Sequence, residues 1–285
     1  MRKMYLQAPL PFLGQKRMFA KEFIKVLRKY FDSTIFVDLF GGSGLLSHIT
    51  KCQRPDATVI YNDYDNYQRR LENIPRTNIL LGKIRSLVVS TLPKKPLPKE
   101  LKEYILHLIE QEEWEYGYVD YITLSTSLLF SMKYATNLEE LRKETFYNTV
   151  RKHDYASCQD YLDGLEVVSC DYRELFDKYK DVPNVVFLID PPYLSTEVGT
   201  YTMTWGFSDY LDVLQTLVST NYIYFTSNKS SIIELCAWID KNNNIGNPFA
   251  GSEKVEFNAH INYNSSYTDI MLFKKADEPA RKDAS

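Results

Sequence analysis

Four consecutive residues, Asp190-Pro191-Pro192-Tyr193, follow directly on the apolar run Val185-Val186-Phe187-Leu188-Ile189. A run of that length, rich in Val and Ile, reads as a parallel strand buried on both faces. The two prolines end it, because neither donates a backbone hydrogen bond and each fixes its own φ. A residue ahead of a proline is driven towards extended geometry, so Asp190 and Pro191 leave the strand as a stiff hook. Such a hook offers a carboxylate, a backbone carbonyl and an aromatic ring to the crevice at the strand's carboxyl end. Open α/β sheets bind their ligands there.

Two acceptors beside a flat ring suit a planar amine. The lone pair of an aromatic amine is delocalised into its ring, which makes the nitrogen a poor nucleophile. Acceptors on both N–H bonds favour a more tetrahedral nitrogen and stabilise the positive charge that grows during alkylation. Asp190 and the Pro191 carbonyl are the candidate acceptors. Tyr193 is the candidate ring that stacks on the substrate and fixes the angle of attack. The plain alternative is an exposed turn that carries two prolines, and the rest of the chain decides between them.

The elements that must position this hook begin with Thr34 to Phe40, which reads as a short buried strand. Gly41-Gly42-Ser43-Gly44, the helical stretch Leu45 to Cys52 and a second strand from Ala57 to Asn62 follow, and Asp63 ends the unit. Strand, glycine loop, helix, strand and acid make half of a nucleotide-binding fold. Glycines let the backbone approach a ligand closely and turn into a helix. As a dinucleotide fingerprint the segment falls short, since Gly42-Ser43-Gly44-Leu45-Leu46-Ser47 lacks the third glycine. Asp38 would repel a pyrophosphate and attract an ammonium or sulfonium group, with Phe40 beside it for apolar or cation–π contact. S-adenosylmethionine carries both cationic groups and no phosphate, so Asp38, Phe40, Gly42, Ser43 and Asp63 suit it better than NAD.

Ahead of this unit, Gln15 to Tyr30 carries an apolar helical stripe with Lys and Arg on its other side. The next strands expected after Asp63 are Leu165 to Ser169 and Val185 to Ile189. A minimal pair of βα units in the interval needs roughly 50 residues, and the chain uses far more. The surplus, residues 66–163, is helical in pattern and broken at Pro93-Lys94-Lys95-Pro96-Leu97-Pro98. It reads as an inserted lobe. After the hook come a helix over Asp209 to Val218, a strand over Tyr222 to Thr226 and a helix over Ser231 to Ile239. An antiparallel hairpin, Lys254 to Ile261 and Tyr267 to Phe273, ends the sheet around an Asn-rich turn. The expected division is residues 1–65 with 164–275 as one domain, 66–163 as the insertion, and 276–285 as a frayed tail.

At 285 residues, 44% hydrophobic and a net charge of −3, the composition is that of a globular protein with a sizeable core. No apolar stretch approaches a membrane span, and the start carries no apolar core of a signal peptide. Four scattered cysteines and four histidines show no metal-ligand spacing. The expectation is a reduced, cytoplasmic, metal-free protein. Slight acidity argues mildly against a nucleic-acid partner, although local distribution counts for more.

Taken in this order, the motifs resemble the Dam-like adenine-specific DNA methyltransferases, whose cofactor motif precedes the recognition region and the catalytic motif. Phe12-Leu13-Gly14-Gln15-Lys16 resembles that family's N-terminal Trp-x-Gly-Gly-Lys, with Phe12 in place of Trp and Gln15 in place of the second Gly. Asp38 to Gly44 is similar to its glycine loop, Asn62 to Asp65 to its ribose-binding acid segment, and Cys170-Asp171-Tyr172 to the segment lining the cofactor's adenine. The resemblance implies that Phe12, Gly14, Lys16, Asp63, Asp171, Tyr172 and Asp190 touch cofactor or substrate. It implies a doubly wound, Rossmann-like α/β methyltransferase sheet with an inserted, mainly helical recognition lobe. It also implies methyl transfer from S-adenosylmethionine to the exocyclic amine of adenine in double-stranded DNA. Whether a cognate restriction nuclease or a second copy accompanies it is left open.

A base inside a duplex cannot be reached for in-line attack, so it must be flipped out, and phosphate contacts have to come from elsewhere. The inserted lobe is rich in Lys and Arg but also carries Glu110-Gln111-Glu112-Glu113-Trp114-Glu115, so most of its charges are solvated helix faces. By position, Lys133, Arg142, Lys143, Arg151 and Lys152 are the expected DNA contacts. Asn148 is a candidate base reader, since Asn suits adenine edges. Methylation of a cytosine ring carbon needs a Pro-Cys nucleophile, and no proline here precedes a cysteine. Two readings stand beside the main one. The first is a methyltransferase of the same fold acting on RNA, cytosine's amine or a protein amide. The second is a degenerate homologue that binds without turnover.

Overall fold

The computed structural model describes residues 3–130, 133–192, 206–228, 230–243, 247–262 and 265–276. In chain order the elements are α1 (Ala20–Leu27), β1 (Ile35–Asp38), α2 (Leu45–Gln53), β2 (Thr58–Asn62), α3 (Tyr67–Glu72), α4 (Ile74–Leu87), α5 (Lys99–Tyr116), α6 (Tyr121–Leu128) and α7 (Leu138–Lys143). There follow β3 (Glu166–Val168), α8 (Tyr172–Tyr179), β4 (Val185–Ile189), α9 (Phe207–Thr216), β5 (Asn221–Ser227), α10 (Ile232–Asn243), β6 (Glu253–Asn262) and β7 (Ser265–Lys274).

These strands form one seven-stranded sheet in the order β3-β2-β1-β4-β5-β7-β6. β3 through β5 run parallel, and the β6–β7 hairpin closes the edge antiparallel. Period-two alternation explains why β4 is apolar throughout. Val185, Phe187 and Ile189 enter one core with Val37, Tyr222 and Tyr224. Val186 and Leu188 enter the other with Phe36, Ile223, Phe225 and the apolar stripe of α1, Phe23, Val26 and Leu27. Both faces of the sheet are therefore covered, as a parallel sheet requires. Truncating a residue such as Leu188 to alanine would cost about 2–5 kcal/mol.

Boundaries differ from the sequence reading in small, explicable ways. β1 stops at Asp38 instead of Phe40, because Leu39 and Phe40 already turn into the glycine loop. β3 spans only three residues at the sheet's edge, with Val167 exposed. The terminal strands are longer than expected, pairing from Glu253↔Phe273 out to Asn262↔Ser265. Two residues of the Asn-rich turn, 263 and 264, and the tail beyond 276 lie outside the described residues. No helix among the described residues is long and apolar enough to cross a membrane.

The chain divides into two compact units: Met1–Gln7, Gln15–Asp65 and Leu162–Ser285, which hold the sheet, and Ala8–Gly14 with Asn66–Tyr161, which hold helices α3 to α7. Ala8–Gly14 groups with the helices, whereas the sequence reading kept residues 1–65 together. The reason is local hydrogen bonding. The Leu10 backbone N–H donates to the Tyr67 hydroxyl at 3.0 Å, the same hydroxyl donates to the Leu10 carbonyl at 3.1 Å, and Arg70 donates to the Pro11 carbonyl at 2.7 Å. Within this unit Arg70 and Asp120 form a buried ion pair, with Nε 3.1 Å from both carboxylate oxygens. Asp120 also caps α6 through the Thr123 N–H.

Candidate active site

β1 and β4 lie side by side, and their successors β2 and β5 lie on opposite sides of the pair. The crevice above their carboxyl ends is the switch point where such sheets bind ligands. Asp38 ends β1 in register with Leu188, two residues short of Asp190 on the neighbouring strand. The two carboxylates thus converge from sequence positions far apart.

Asp38 is fully buried. The Ser47 hydroxyl donates to its Oδ2 at 2.6 Å, while its Oδ1 has no hydrogen-bond partner among the described residues. Burial pushes its pKa up to about 7. The Ser47 hydroxyl and the backbone N–H groups of Phe40 and Ser47 pull it back, and the charge of Asp190 adds to the rise. An orphaned oxygen on a buried acid is costly unless a donor meets it. A hydrogen-bond donor is what this atom lacks among the described residues.

Asp190 carries its own cation. The Lys16 Nζ lies 2.5 Å from Asp190 Oδ2, and the two side chains are only 9% and 17% exposed. Burial pushes the Asp190 carboxyl up, Lys16 opposes that through charge and hydrogen bond, and Asp269 adds to the rise. Pro191 and Pro192 follow as buried residues. Tyr193, the expected stacking ring, lies outside the described residues.

The glycine loop is shaped by one aromatic side chain. Gly42 and Gly44 take φ of 48° and 69°, a region that favours glycine. At Gly41 a Cβ would sit 2.3 Å from the ring of Tyr61 and 2.7 Å from the Asn62 carbonyl, so the backbone rests directly on that ring. The Tyr61 hydroxyl is 2.7 Å from the Gly42 carbonyl and 3.0 Å from Asp63 Oδ1. Ser43 and Asp63 are both buried. Asn62 ties the ends of three strands: its amide donates to the Leu39 and Cys170 carbonyls at 3.0 Å, and its oxygen accepts from the Cys170 N–H at 3.1 Å.

The rings of Phe40 and Tyr172 meet at 4.9 Å and 36°, making an aromatic corner beside the loop. Asp171 is engaged in structure: it caps α8 by accepting from the Arg173 N–H at 2.8 Å, and it pairs with the Arg173 guanidinium. Arg173 also bridges to Asp209 and Asp212 on α9.

The sheet unit therefore brings together Lys16, Asp38, Phe40, Gly42, Ser43, Asp63, Asp171, Tyr172, Asp190 and Pro191. Phe12 and Gly14 fall in the helical unit, where the Phe12 ring stands edge-on to Tyr67 at 5.7 Å and Gly14 takes φ of 80°. Of the residues expected to meet DNA, Lys133 pairs with Glu144 at 2.6 Å, and Arg142 lies 3.9 Å from Glu110. Arg151 donates to the His153 carbonyl and covers the Tyr155 ring. Lys143 and Lys152 are exposed. The amide of Asn148 is spent on the Val88 and Thr91 carbonyls and the Thr91 hydroxyl, so it serves as a clamp on the proline-broken turn. Ser47, Tyr61 and Asn62 carry the site's hydrogen bonds without having been singled out from sequence.

Two comparisons with known proteins accompany this geometry. Residues 12–217 match the D12 class N6 adenine-specific DNA methyltransferase family. A protein of Haemophilus influenzae, named provisionally as a methyltransferase, is 38% identical over 281 residues, which is 96% of this chain and 94% of that protein.

Proposed function

We propose a cofactor and a division of labour for a chain that belongs to the D12 class N6 adenine-specific DNA methyltransferases and so methylates the N6 amine of adenine in DNA. A methyl donor follows from the family, and S-adenosylmethionine is the donor we assign. The observation that carries the assignment is Asp38, a buried acid whose Oδ1 has no partner among the described residues. It answers the need of a ligand ammonium for an acceptor. Asp63 would take ribose hydroxyls, and the Phe40–Tyr172 corner would flank an adenine ring. When bound, the cofactor supplies a methyl group on a sulfonium, already activated for displacement.

The remaining work belongs to the chain. Asp190 and the Pro191 carbonyl would accept the two N6–H bonds, strengthening as positive charge develops on nitrogen. Lys16 opposes the rise that burial imposes on Asp190, favouring its acceptor-only form, and fixes its direction. The Asp190 carboxylate then stands ready to take the proton that the alkylated nitrogen sheds. Tyr193 retains the stacking role assigned from sequence. Double-stranded DNA with a flipped adenine is the substrate form we assign, because N6 is out of reach inside a duplex. Lys143 and Lys152 are the phosphate contacts we favour within the helical unit.

Calorimetric titration of S-adenosylhomocysteine into the wild-type protein and Asp38→Asn at pH 8 tests the cofactor assignment. The expected loss in the variant is about tenfold or more, as for a hydrogen bond to a charged group. Equal affinity in the two proteins would remove the assignment.

A further inference from the structure

Tyr61 stands at the end of β2, fully buried, between the glycine loop and the acid that follows it. Its ring is the floor of the loop, filling the space that any side chain at Gly41 would need. Its hydroxyl reaches two acceptors at once, the Gly42 carbonyl at 2.7 Å and Asp63 Oδ1 at 3.0 Å. A phenol has one proton to donate. When the proton points to Gly42, the phenol oxygen presents lone pairs to a carboxylate. When it points to Asp63, the carbonyl loses that donor. The two acceptors therefore compete for it, and a further donor to Asp63 shifts the proton towards Gly42.

We propose that Tyr61 is a positioning residue that couples the two lips of the cofactor pocket. A ligand hydroxyl donating to Asp63 frees the Tyr61 proton for the Gly42 carbonyl, which fixes the glycine loop in the loaded state. The inference rests on the reading of Asp63 as the ribose-binding acid, and adds to it that ribose recognition is transmitted to the loop through one phenol. It also accounts for an aromatic residue with a hydroxyl at a buried strand end, where phenylalanine would fill the same space.

The test compares wild type, Tyr61→Phe, Asp63→Asn and the double variant. Each is titrated with S-adenosylhomocysteine and with its 2′,3′-dideoxy analogue, and melting is followed without ligand. Phenylalanine keeps the ring beneath Gly41 but takes a donor from buried acceptors, so Tyr61→Phe should fold, melt a few degrees below wild type, and bind the natural ligand about tenfold more weakly. Its kcat at saturating S-adenosylmethionine should stay within twofold of wild type, with the loss in KM. In the Asp63→Asn background, or with the dideoxy ligand, the substitution should cost less than twofold. If Asp63→Asn binds the natural ligand normally, the ribose reading itself falls and takes the proposal with it. If Asp63→Asn weakens binding but Tyr61→Phe does not, the ribose reading stands and the Tyr61 proposal alone is overturned. An equal loss for both ligands would overturn it too, since that is the mark of a general packing defect. Should Tyr61→Phe not fold, the wild-type protein still tests the premise, because it must prefer the hydroxylated ligand.

Discussion

The Lys16 ammonium lies 2.5 Å from the Asp190 carboxylate, although the whole segment Asn66–Tyr161 lies between the two residues in the sequence. The pair sets a positive charge against burial directly on the acid to which we assign the substrate amine. Replacing Lys16 with methionine would remove that opposition, and the Asp190 pKa would rise further. The acidic limb of the kcat/KM–pH profile should then move to higher pH. Activity at pH 7 should fall by about tenfold or more, with partial recovery in more alkaline buffer. A profile that drops evenly at every pH would show that Lys16 acts otherwise.

Asp38 predicts two pH dependences of opposite consequence. Its pKa in the folded protein is pushed up to about 7 by burial, against about 3.9 for an unfolded chain. Between those values the folded state holds the proton more tightly, so this group's contribution to stability falls as pH rises. Binding of a cationic ligand needs the ionised form, so affinity should rise over the upper part of the same range. Urea midpoints and cofactor titrations from pH 5 to 8 check both trends. In Asp38→Asn the first should flatten, and the second should vanish along with most of the affinity.

Arg70 and Asp120 form the polar centre of the helical unit, with side chains 5% and 1% exposed. Removing one partner strands the other charge, so Asp120→Ala should destabilise by about 3–5 kcal/mol. The loss includes the α6 cap and the tie to Pro11. The double replacement Arg70→Met with Asp120→Leu should lose much less, which chemical denaturation would reveal.

Two glycines give a paired prediction. Gly41→Ala places a methyl 2.3 Å from the Tyr61 ring, so the loop must move and the cofactor KM should rise by about tenfold or more. Gly82 lies inside α4, where a methyl group on its Cα would meet nothing within 4 Å. Gly82→Ala should therefore stabilise by up to about 1 kcal/mol and leave KM unchanged.

Much of this frame was legible in the residues themselves. The run Val185–Ile189 forms a strand with those bounds, because an apolar stretch stopped by two prolines leaves little freedom in where it ends. The glycine loop and the strand–helix–strand order around it follow from equally local signals. What escaped the sequence reading depends on register and on distant partners. Tyr61 looks like an ordinary strand residue, and Asn62 like no more than the lead-in to Asp63, until β2 is laid beside β1 and β3. Ser47 matters only because the first turn of α2 passes Asp38. Asn148 resembles a base reader by type, yet its amide is consumed by carbonyls some sixty residues away in sequence. Ala8–Gly14 joins the helices through hydrogen bonds to Tyr67 and Arg70 that no periodicity announces.

The most direct test is transfer of labelled methyl from S-adenosylmethionine to unmethylated duplex DNA, with the product digested to nucleosides and Asp190→Ala run alongside. If Asp190 serves the adenine amine as assigned, label appears in N6-methyldeoxyadenosine for the wild-type protein and falls by about a hundredfold or more in the variant. Label that is undiminished in Asp190→Ala, or that appears on cytosine or not on DNA at all, would contradict that assignment.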